Sequence, residues 1–168
     1  LQLEINEGYG LTETSPVSNW CRPAEHRRGS VGMPIVDVHE RIVGEDGADL
    51  PANEDGEIRI SGPNIMRGYY KLPEETKNAF DDQGYFRTGD MGHLDDDGFL
   101  HITGRIKEML IIGGENVFPR EIEEVLTNHP DVLAAGVVGR QDDSRGEVAV
   151  AFVELKEGAE FDEMALRS

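Results

Sequence analysis

From residue 29 to residue 102 the chain alternates short β-type runs with clusters of turn-forming residues. Residues 38–43 and 57–61 have the length and composition of half-buried strands. Glycine follows acidic residues in three segments, which is typical of tight turns, at 45–47, 53–56 and 95–98. The pattern predicts a small, turn-rich β subdomain.

Two further elements are predicted in the same region. Residues 91–94 and 99–102 flank the acidic turn at 95–98, and this arrangement predicts a β-hairpin. Residues 72–80 place Pro73 near a helix start, with acidic residues in the first turn, where the helix dipole favours them. One short helix is therefore expected between the strands.

After Lys107 the pattern changes to strand, glycine loop, helix, strand, loop and strand. The apolar run at 109–112 predicts the first strand, and residues 132–138 and 148–155 predict the other two. The predicted fold class is α+β: a turn-rich, distorted β-barrel-like subdomain followed by a small, truncated α+β lid. We expect domains at 1–105 and 106–168.

The helix of the second domain is predicted to begin at Pro119 and to end near residues 129–130. Its apolar spacing predicts a core-facing side made of Ile122, Val125 and Leu126. Glu121, Glu123 and Glu124 are expected to form a solvated face.

The formal net charge of -18 comes from 34 acidic against 16 basic residues. A field of this sign repels nucleic acid and anionic lipid surfaces. We therefore expect no nucleic-acid partner, and any nucleotide site must be built locally from backbone amides, a stacking ring and a few cations.

Cys21 is the single cysteine, which excludes an internal disulfide and fits a reducing compartment. No secretory leader or membrane-length apolar run is apparent, so we expect a cytoplasmic protein that is not integral to a membrane. Both ends resemble cuts: there is no initiating Met, and residues 161–168 begin like a helix with Asp162 as N-cap. We expect missing N-terminal and C-terminal segments of a parent chain.

Residues 9–14, YGLTET, combine an aromatic ring, a flexible glycine, hydroxyls and a carboxylate. Tyr9 could stack on a base, Gly10 could let backbone approach a phosphate, and Glu13 could hold Mg²⁺. The alternative interpretation is a turn in which threonines cap a helix and Tyr9 belongs to the core.

Residues 85–90, YFRTGD, follow a turn and present Asp90 as a strand is predicted to begin. An ionised carboxylate can accept two ribose hydroxyls, although a strand-end aspartate bonded to nearby amides is the commoner case. In residues 104–123, Arg105 could bridge ribose and phosphate, and Gly113 and Gly114 could let backbone pass close to a ligand. A surface cation and a plain turn are the alternatives for this stretch.

Together with GYYKLPEET at 68–76, these segments closely resemble, in content and order, the acyl-adenylate-forming enzymes over essentially the whole chain. The GGENVFPREIE form at 113–123 is most similar to acyl-CoA and aryl-CoA ligases. The resemblance implies an AMP-forming ligase: a carboxylate attacks ATP to give an acyl-adenylate, and coenzyme A then displaces AMP. A fatty acid is the default substrate.

The resemblance also implies roles for individual residues. Tyr9 and Gly10 would contact the nucleotide, Thr12 the phosphate and Asp90 the ribose. Arg105 would reach ribose and phosphate, and Thr12, Glu13 and Arg105 would form the catalytic set, with Glu13 on Mg²⁺. Lys107 would be the hinge between the two half-reactions, and Gly113 and Gly114 would border the coenzyme A tunnel.

Two parts of the family pattern are absent: the upstream phosphate loop and a lysine expected after Ser168. The resemblance therefore implies that residues 1–168 by themselves bind ATP weakly or not at all and do not turn over. Two alternatives stay open, namely an adenylation domain that loads a carrier protein and a non-catalytic binding module that kept the fold.

Overall fold

The computed structural model describes residues 5–23, 25–142 and 144–159. Its contacts divide the chain into two compact units, residues 1–103 and 104–168. The architecture is mostly sheet with few helices, which confirms the predicted fold class. The helix predicted to start at Asp162 lies outside the described residues. Within the described part, no helix is long and apolar enough to cross a membrane.

The first unit contains two antiparallel sheets. The smaller one has the order β1-β2-β3, with strands Gly8–Tyr9, Asn19–Trp20 and Met33–Pro34. The larger one has the order β4-β5-β6-β7, with strands His39–Val43, Gly56–Ser61, Phe86–Leu94 and Leu100–Arg105. Among the described residues this sheet is open and does not close into a barrel.

Apolar side chains on one face of the larger sheet form the core of the first unit. The buried cluster consists of Val38, Ile42, Ile58, Ile60 and Leu100. Val38 and Ile42 alternate with polar positions up to and along β4, as do Ile58 and Ile60 along β5, and Leu100 joins them from β7. The ring of Tyr9 packs against the same cluster, which brings the smaller sheet onto the core.

The predicted hairpin and short helix are both present. Strands β6 and β7 are joined by the acidic turn, in which Asp95 Oδ1 accepts the amides of Asp97 and Phe99 at 3.0 Å each. Asp95 also pairs with Arg27, and its pKa is lowered to about 2 because these hydrogen bonds outweigh the effect of burial. Helix α1 spans Pro73–Asn78.

An ion-pair network fixes the segment that leads into β6. Arg59 is 8% exposed and pairs with Glu57 at 2.9 Å and with Asp81 at 3.1 Å. Asp81 also accepts the Tyr85 amide at 2.9 Å. Burial raises the pKa of Asp81, but the amide and the guanidinium outweigh burial and lower it. This network holds the start of the strand that carries Asp90.

The second unit has one four-stranded sheet of order β10-β11-β8-β9. Its strands are Leu110–Ile112, Glu115–Val117, Val132–Asp142 and Gly146–Leu155 in chain order from β8 to β11. A 3-10 turn at Ile106–Glu108 precedes β8. Helix α2 spans Pro119–Thr127 and packs mainly on β10.

The predicted core face of α2 is wrong at Val125, which is 71% exposed, while Leu126 is only 8% exposed. The helix meets the sheet along the i, i+4 row of Phe118, Ile122 and Leu126. Val125 projects to one side of that narrow row. Glu123 also departs from the predicted solvated face, because its Oε1 accepts the Val137 amide at 2.8 Å and ties the helix to β10.

Candidate nucleotide-binding site

The YGLTET segment folds as the end of β1 followed by a 3-10 turn at Thr12–Thr14. A Cβ at Gly10 would lie 1.8 Å from the carbonyl oxygen of Pro16, so only glycine fits where the loop closes on itself. Thr14 is fully buried, and its Oγ1 accepts the Leu11 amide at 2.7 Å. The turn is thus built by a buried threonine, and it leaves the side chain of Thr12 exposed.

Asp90 lies within β6, four residues after the strand begins, and not at the strand start that the sequence predicts. β6 already pairs with β5 at Phe86 and Arg87 and then passes through a bulge: Arg59 pairs with Arg87 and Glu57 with Met91, so β6 carries two more residues than β5 in this interval. Gly89 has φ +71° at the centre of the bulge. A glycine there allows the strand to re-aim the carboxylate that follows.

Thr88 stabilises the bulge from both sides. Its hydroxyl donates to the carbonyl oxygen of Ile58 at 2.6 Å and accepts the amide of Asp90 at 3.0 Å. The Asp90 side chain therefore starts from a backbone that is held by two hydrogen bonds beyond the regular strand ladder.

The structure brings Tyr9 and Asp90 together although 81 positions separate them in the chain. The Tyr9 hydroxyl donates to Asp90 Oδ2 at 2.6 Å, and Asp90 is only 5% exposed. Burial and the neighbouring carboxylate both raise the pKa of Tyr9, so its hydroxyl stays protonated and remains a donor. The pair joins the two motifs into one local site.

Glu13 has a partner that the sequence did not indicate. The hydroxyl of Tyr69 donates to Glu13 Oε1 at 3.0 Å, and the Met66 amide donates to the Glu13 carbonyl at 2.8 Å. Burial and the carboxylate raise the pKa of Tyr69, which keeps it a donor. The segment after β5 therefore orients the carboxylate of the 3-10 turn.

Removing the Tyr9 hydroxyl should destabilise the first unit. In Tyr9→Phe the buried Asp90 carboxylate loses this donor, and we expect a loss of about 1–2 kcal/mol in the free energy of unfolding. Trp20, the single tryptophan, lies in this unit and reports its unfolding in urea. Tyr70→Phe is the matched control, because Tyr70 is 86% exposed. Equal stabilities of the two variants would contradict the expectation.

In the second unit, Gly113 and Gly114 form the two-residue loop of a hairpin. Ile112 pairs with Glu115, and the glycines have φ +62° and +92°, as a type I′ turn requires. They therefore join β8 to β9 and do not form a turn into a helix. Arg105 is exposed at the end of β7, and Lys107 is exposed in the 3-10 turn that follows.

The turn geometry predicts a specific cost for substitution. A Cβ at Gly113 meets no atom within 4 Å, so Gly113→Ala should lose about 1 kcal/mol through left-handed strain alone. Gly136→Ala is the matched control, because it also meets no atom but has no positive φ. Far-UV circular dichroism during urea unfolding measures both, and a loss of the same size in the two variants would rule out backbone strain as the cause.

Two residues beside Tyr9 were missed by the sequence reasoning. Asn19, fully buried on β2, lies opposite Tyr9 in the strand register, and its side-chain amide donates to Glu40 Oε2 at 3.0 Å. A signal for Glu40 was present, because it interrupts the apolar alternation of Val38 and Ile42. No sequence signal singled out Asn19.

Two family models match the chain. The one described as AMP-binding enzyme matches residues 2–70, and the one described as AMP-binding enzyme C-terminal domain matches residues 121–168. Together they cover most of the chain. The segment between them contains the YFRTGD motif.

Similar curated proteins are CoA ligases. The sulfoacetate–CoA ligase of Cupriavidus necator is 45% identical over 166 residues, covering 98% of this chain and 32% of that protein. The long-chain-fatty-acid–CoA ligase of Bacillus subtilis is 43% identical over 164 residues, covering 95% and 29%. The chain thus spans about a third of the length of these relatives.

Solved structures agree with this similarity. ATP-bound MatB from Rhodopseudomonas palustris has a TM-score of 0.89 and 39% identity, covering 96% of this chain and 32% of that one. The amide bond synthetase McbA from Marinactinospora thermotolerans has a TM-score of 0.89 and 38% identity, covering 96% and 34%.

Proposed function

Since the chain belongs to the AMP-binding enzyme family, we propose that the protein it forms part of is an AMP-forming acid–CoA ligase. A carboxylate oxygen of the acid attacks the α-phosphorus of ATP, and pyrophosphate leaves. The thiol sulfur of coenzyme A then attacks the acyl carbon, loses its proton and releases AMP. Both steps depend on alignment and on compensation of negative charge, which this acidic chain must supply locally.

The pairing of Tyr9 with Asp90 is the observation that carries this proposal. A tyrosine whose hydroxyl lies 2.6 Å from a buried carboxylate suits adenosine, with the ring stacked on the base and the carboxylate accepting ribose hydroxyls. Gly10 and the exposed Thr12 lie on the loop that follows Tyr9 and would meet the phosphates. Arg105 would add charge at the ribose and phosphate.

Glu13 is the residue we propose for Mg²⁺. Magnesium in nucleotide sites uses one or two carboxylates, with substrate phosphates and water completing its shell. A single carboxylate on an exposed turn fits that need, and the described residues contain no cluster of three metal-ligating side chains. When bound, the ion would neutralise phosphate charge, while Tyr69 holds Glu13 Oε1 in place.

Lys107 is proposed as the hinge between the domains at 1–105 and 106–168, and Gly113 and Gly114 as the border of the coenzyme A tunnel. Lys107 is exposed in a short 3-10 turn beside the division between the two units. Few backbone hydrogen bonds need to break for such a turn to rotate. The open space around the Gly113–Gly114 turn leaves backbone accessible to a long, thin ligand.

The acid that the protein activates is, in this proposal, a fatty acid. The similarity to a long-chain-fatty-acid–CoA ligase supports this choice. Other relatives are named for sulfoacetate, indoleacetate and 2-succinylbenzoate, so an assay must cover small, aromatic and long-chain acids. We place the protein in the cytoplasm, which is consistent with the single buried thiol of Cys21.

AMP release by the full-length protein tests the proposal. The assay supplies ATP, Mg²⁺ and a panel of acids, with and without coenzyme A, and we expect release that requires both an acid and coenzyme A. Release that requires an acid alone would favour transfer to a carrier protein or to an amine, the latter in line with the similarity to an amide bond synthetase. If none of the acids in the panel leads to AMP release, the ligase proposal is contradicted and a binding module is favoured.

The same assay includes residues 1–168 as a separate arm. This chain spans about a third of the related ligases, and we expect it to give no acid-dependent pyrophosphate. If residues 1–168 alone turn over, the phosphate-binding groups essential for the reaction do not lie outside this segment, and this expectation is wrong.

A further inference from the structure

A carboxyl group occupies a core-facing position of the larger sheet. Glu40 pairs with Ile60 across β4 and β5, and Val38 and Ile42, two positions before and after it, belong to the core cluster. Its carboxyl is surrounded by protein where the strand pattern calls for an apolar side chain. A charge at such a place is strongly disfavoured unless it is compensated.

The contacts of Glu40 leave two buried acceptors unsatisfied. The Asn19 amide donates to Glu40 Oε2 at 3.0 Å. Glu40 Oε1 and Asn19 Oδ1 are both buried, and neither has a hydrogen-bond partner among the described residues. Two unpaired buried acceptors on bonded neighbours are costly if Glu40 is ionised. A proton on Oε1 turns one acceptor into a donor, and the oxygen of the same amide is available to accept it.

Among residues 5–23, 25–142 and 144–159, no cation pairs with Glu40. The elements packed against it present the Tyr9 phenol from β1, Asn19 from β2 and Ile60 from β5, while Asp90 of β6 lies behind Tyr9. Within the described part of the chain, Glu40 forms no ion pair. Burial raises the pKa of Glu40 to about 7, although the Asn19 hydrogen bond lowers it. The unpaired acceptors, the missing counter-charge and the burial of the carboxyl all favour a neutral acid below that pH.

The Glu40–Asn19 contact leads directly to the proposed nucleotide site. Asn19 lies opposite Tyr9 in the β1–β2 register, and Tyr9 donates to Asp90. The four residues thus follow one another inside the first unit: Glu40 bonds Asn19, Asn19 faces Tyr9 across the β1–β2 pair, and Tyr9 bonds Asp90.

We propose that Glu40 is a positioning residue for nucleotide binding: as a neutral acid paired with Asn19 it holds Tyr9 and Asp90 in the binding arrangement, and its ionisation weakens nucleotide affinity. The proposal rests on the assignment of adenosine to Tyr9 and Asp90 above. Because proton and nucleotide binding are linked, bound nucleotide must in turn favour the protonated acid.

Adenosine binding as a function of pH tests this role. Adenosine carries the base and the ribose but no phosphate that titrates near neutrality, so a pH dependence reports the protein. For the full-length protein we expect Kd to rise about 3- to 10-fold between about pH 6 and about pH 8.5. Glu40→Gln, a neutral isostere with one donor and one acceptor, should keep the low-pH Kd throughout.

The matched control is Glu54→Gln, which alters an exposed glutamate on the loop between β4 and β5 and should follow the wild-type profile. A second measurement, ¹³C NMR of the glutamate carboxyl groups, should show the Glu40 titration moving to higher pH when adenosine is added. If wild type and Glu40→Gln bind adenosine with identical pH profiles, the proposed role of Glu40 is overturned, while the nucleotide assignment stands. Absence of adenosine binding at every pH would overturn the nucleotide assignment and this inference with it.

Discussion

Asp90→Asn is expected to weaken AMP binding by the full-length protein about 100-fold. The amide still accepts the Tyr9 hydroxyl through its oxygen, so the fold around the bulge is kept. Its NH₂ group, however, cannot accept a ribose hydroxyl, and the charge is lost. Hydrogen bonds to charged groups contribute about 1.5–3 kcal/mol each, and a net loss near 2.7 kcal/mol corresponds to the expected factor. Isothermal titration calorimetry with AMP measures it.

Asp82→Asn is the matched control for Asp90→Asn. Asp82 lies eight positions upstream in the same unit and is exposed. We expect its AMP affinity to be unchanged. If Asp90→Asn binds AMP as tightly as this control while its far-UV spectrum is native, the ribose assignment is wrong and the buried carboxylate serves the fold alone.

Glu40→Gln is expected to stabilise the first unit by about 3 kcal/mol at about pH 8 and to have little effect at about pH 4.5. The folded-state pKa is about 7 against an ordinary 4.5. Between these values the folded chain keeps a proton that the unfolded chain has released. The unfolding free energy of the wild type therefore falls as pH rises through this window and levels off above it.

Urea unfolding followed by Trp20 fluorescence, repeated across the pH range, measures this difference. Subtracting the wild-type from the variant free energy at each pH cancels the titration of the other carboxylates. Glu54→Gln again serves as control and should show no pH-dependent difference. A difference that is constant with pH would mean that the pKa of Glu40 is the same in the folded and the unfolded chain, against the burial and the unpaired acceptors around it.

The candidate site was predictable in its parts and not in its assembly. Tyr9, Glu13 and Asp90 were indicated by residue types that suit a nucleotide, because a ring, a turn and a carboxylate are chemical properties of short segments. The contact between Tyr9 and Asp90 spans 81 positions, and it depends on the bulge at Gly89. Neither the bulge nor the contact leaves a local sequence pattern.

Errors in the prediction have the same origin. The apolar spacing of α2 correctly indicated a helix, but the sheet it meets decided that Leu126 is buried and Val125 exposed. Likewise, Glu40 stands out in the alternation of β4, yet only its contact with Asn19 gives that anomaly a role.

By itself, the sequence determined the α+β class, most of the strands, the hairpin turn at 95–98 and the family, because strand alternation, turn chemistry and ordered motifs are encoded locally. The tertiary structure alone decided which side chains meet: Tyr9 with Asp90, Tyr69 with Glu13 and Asn19 with Glu40. Such contacts arise from packing of distant strands and from the energetic need to pair buried polar groups, and no short segment encodes either.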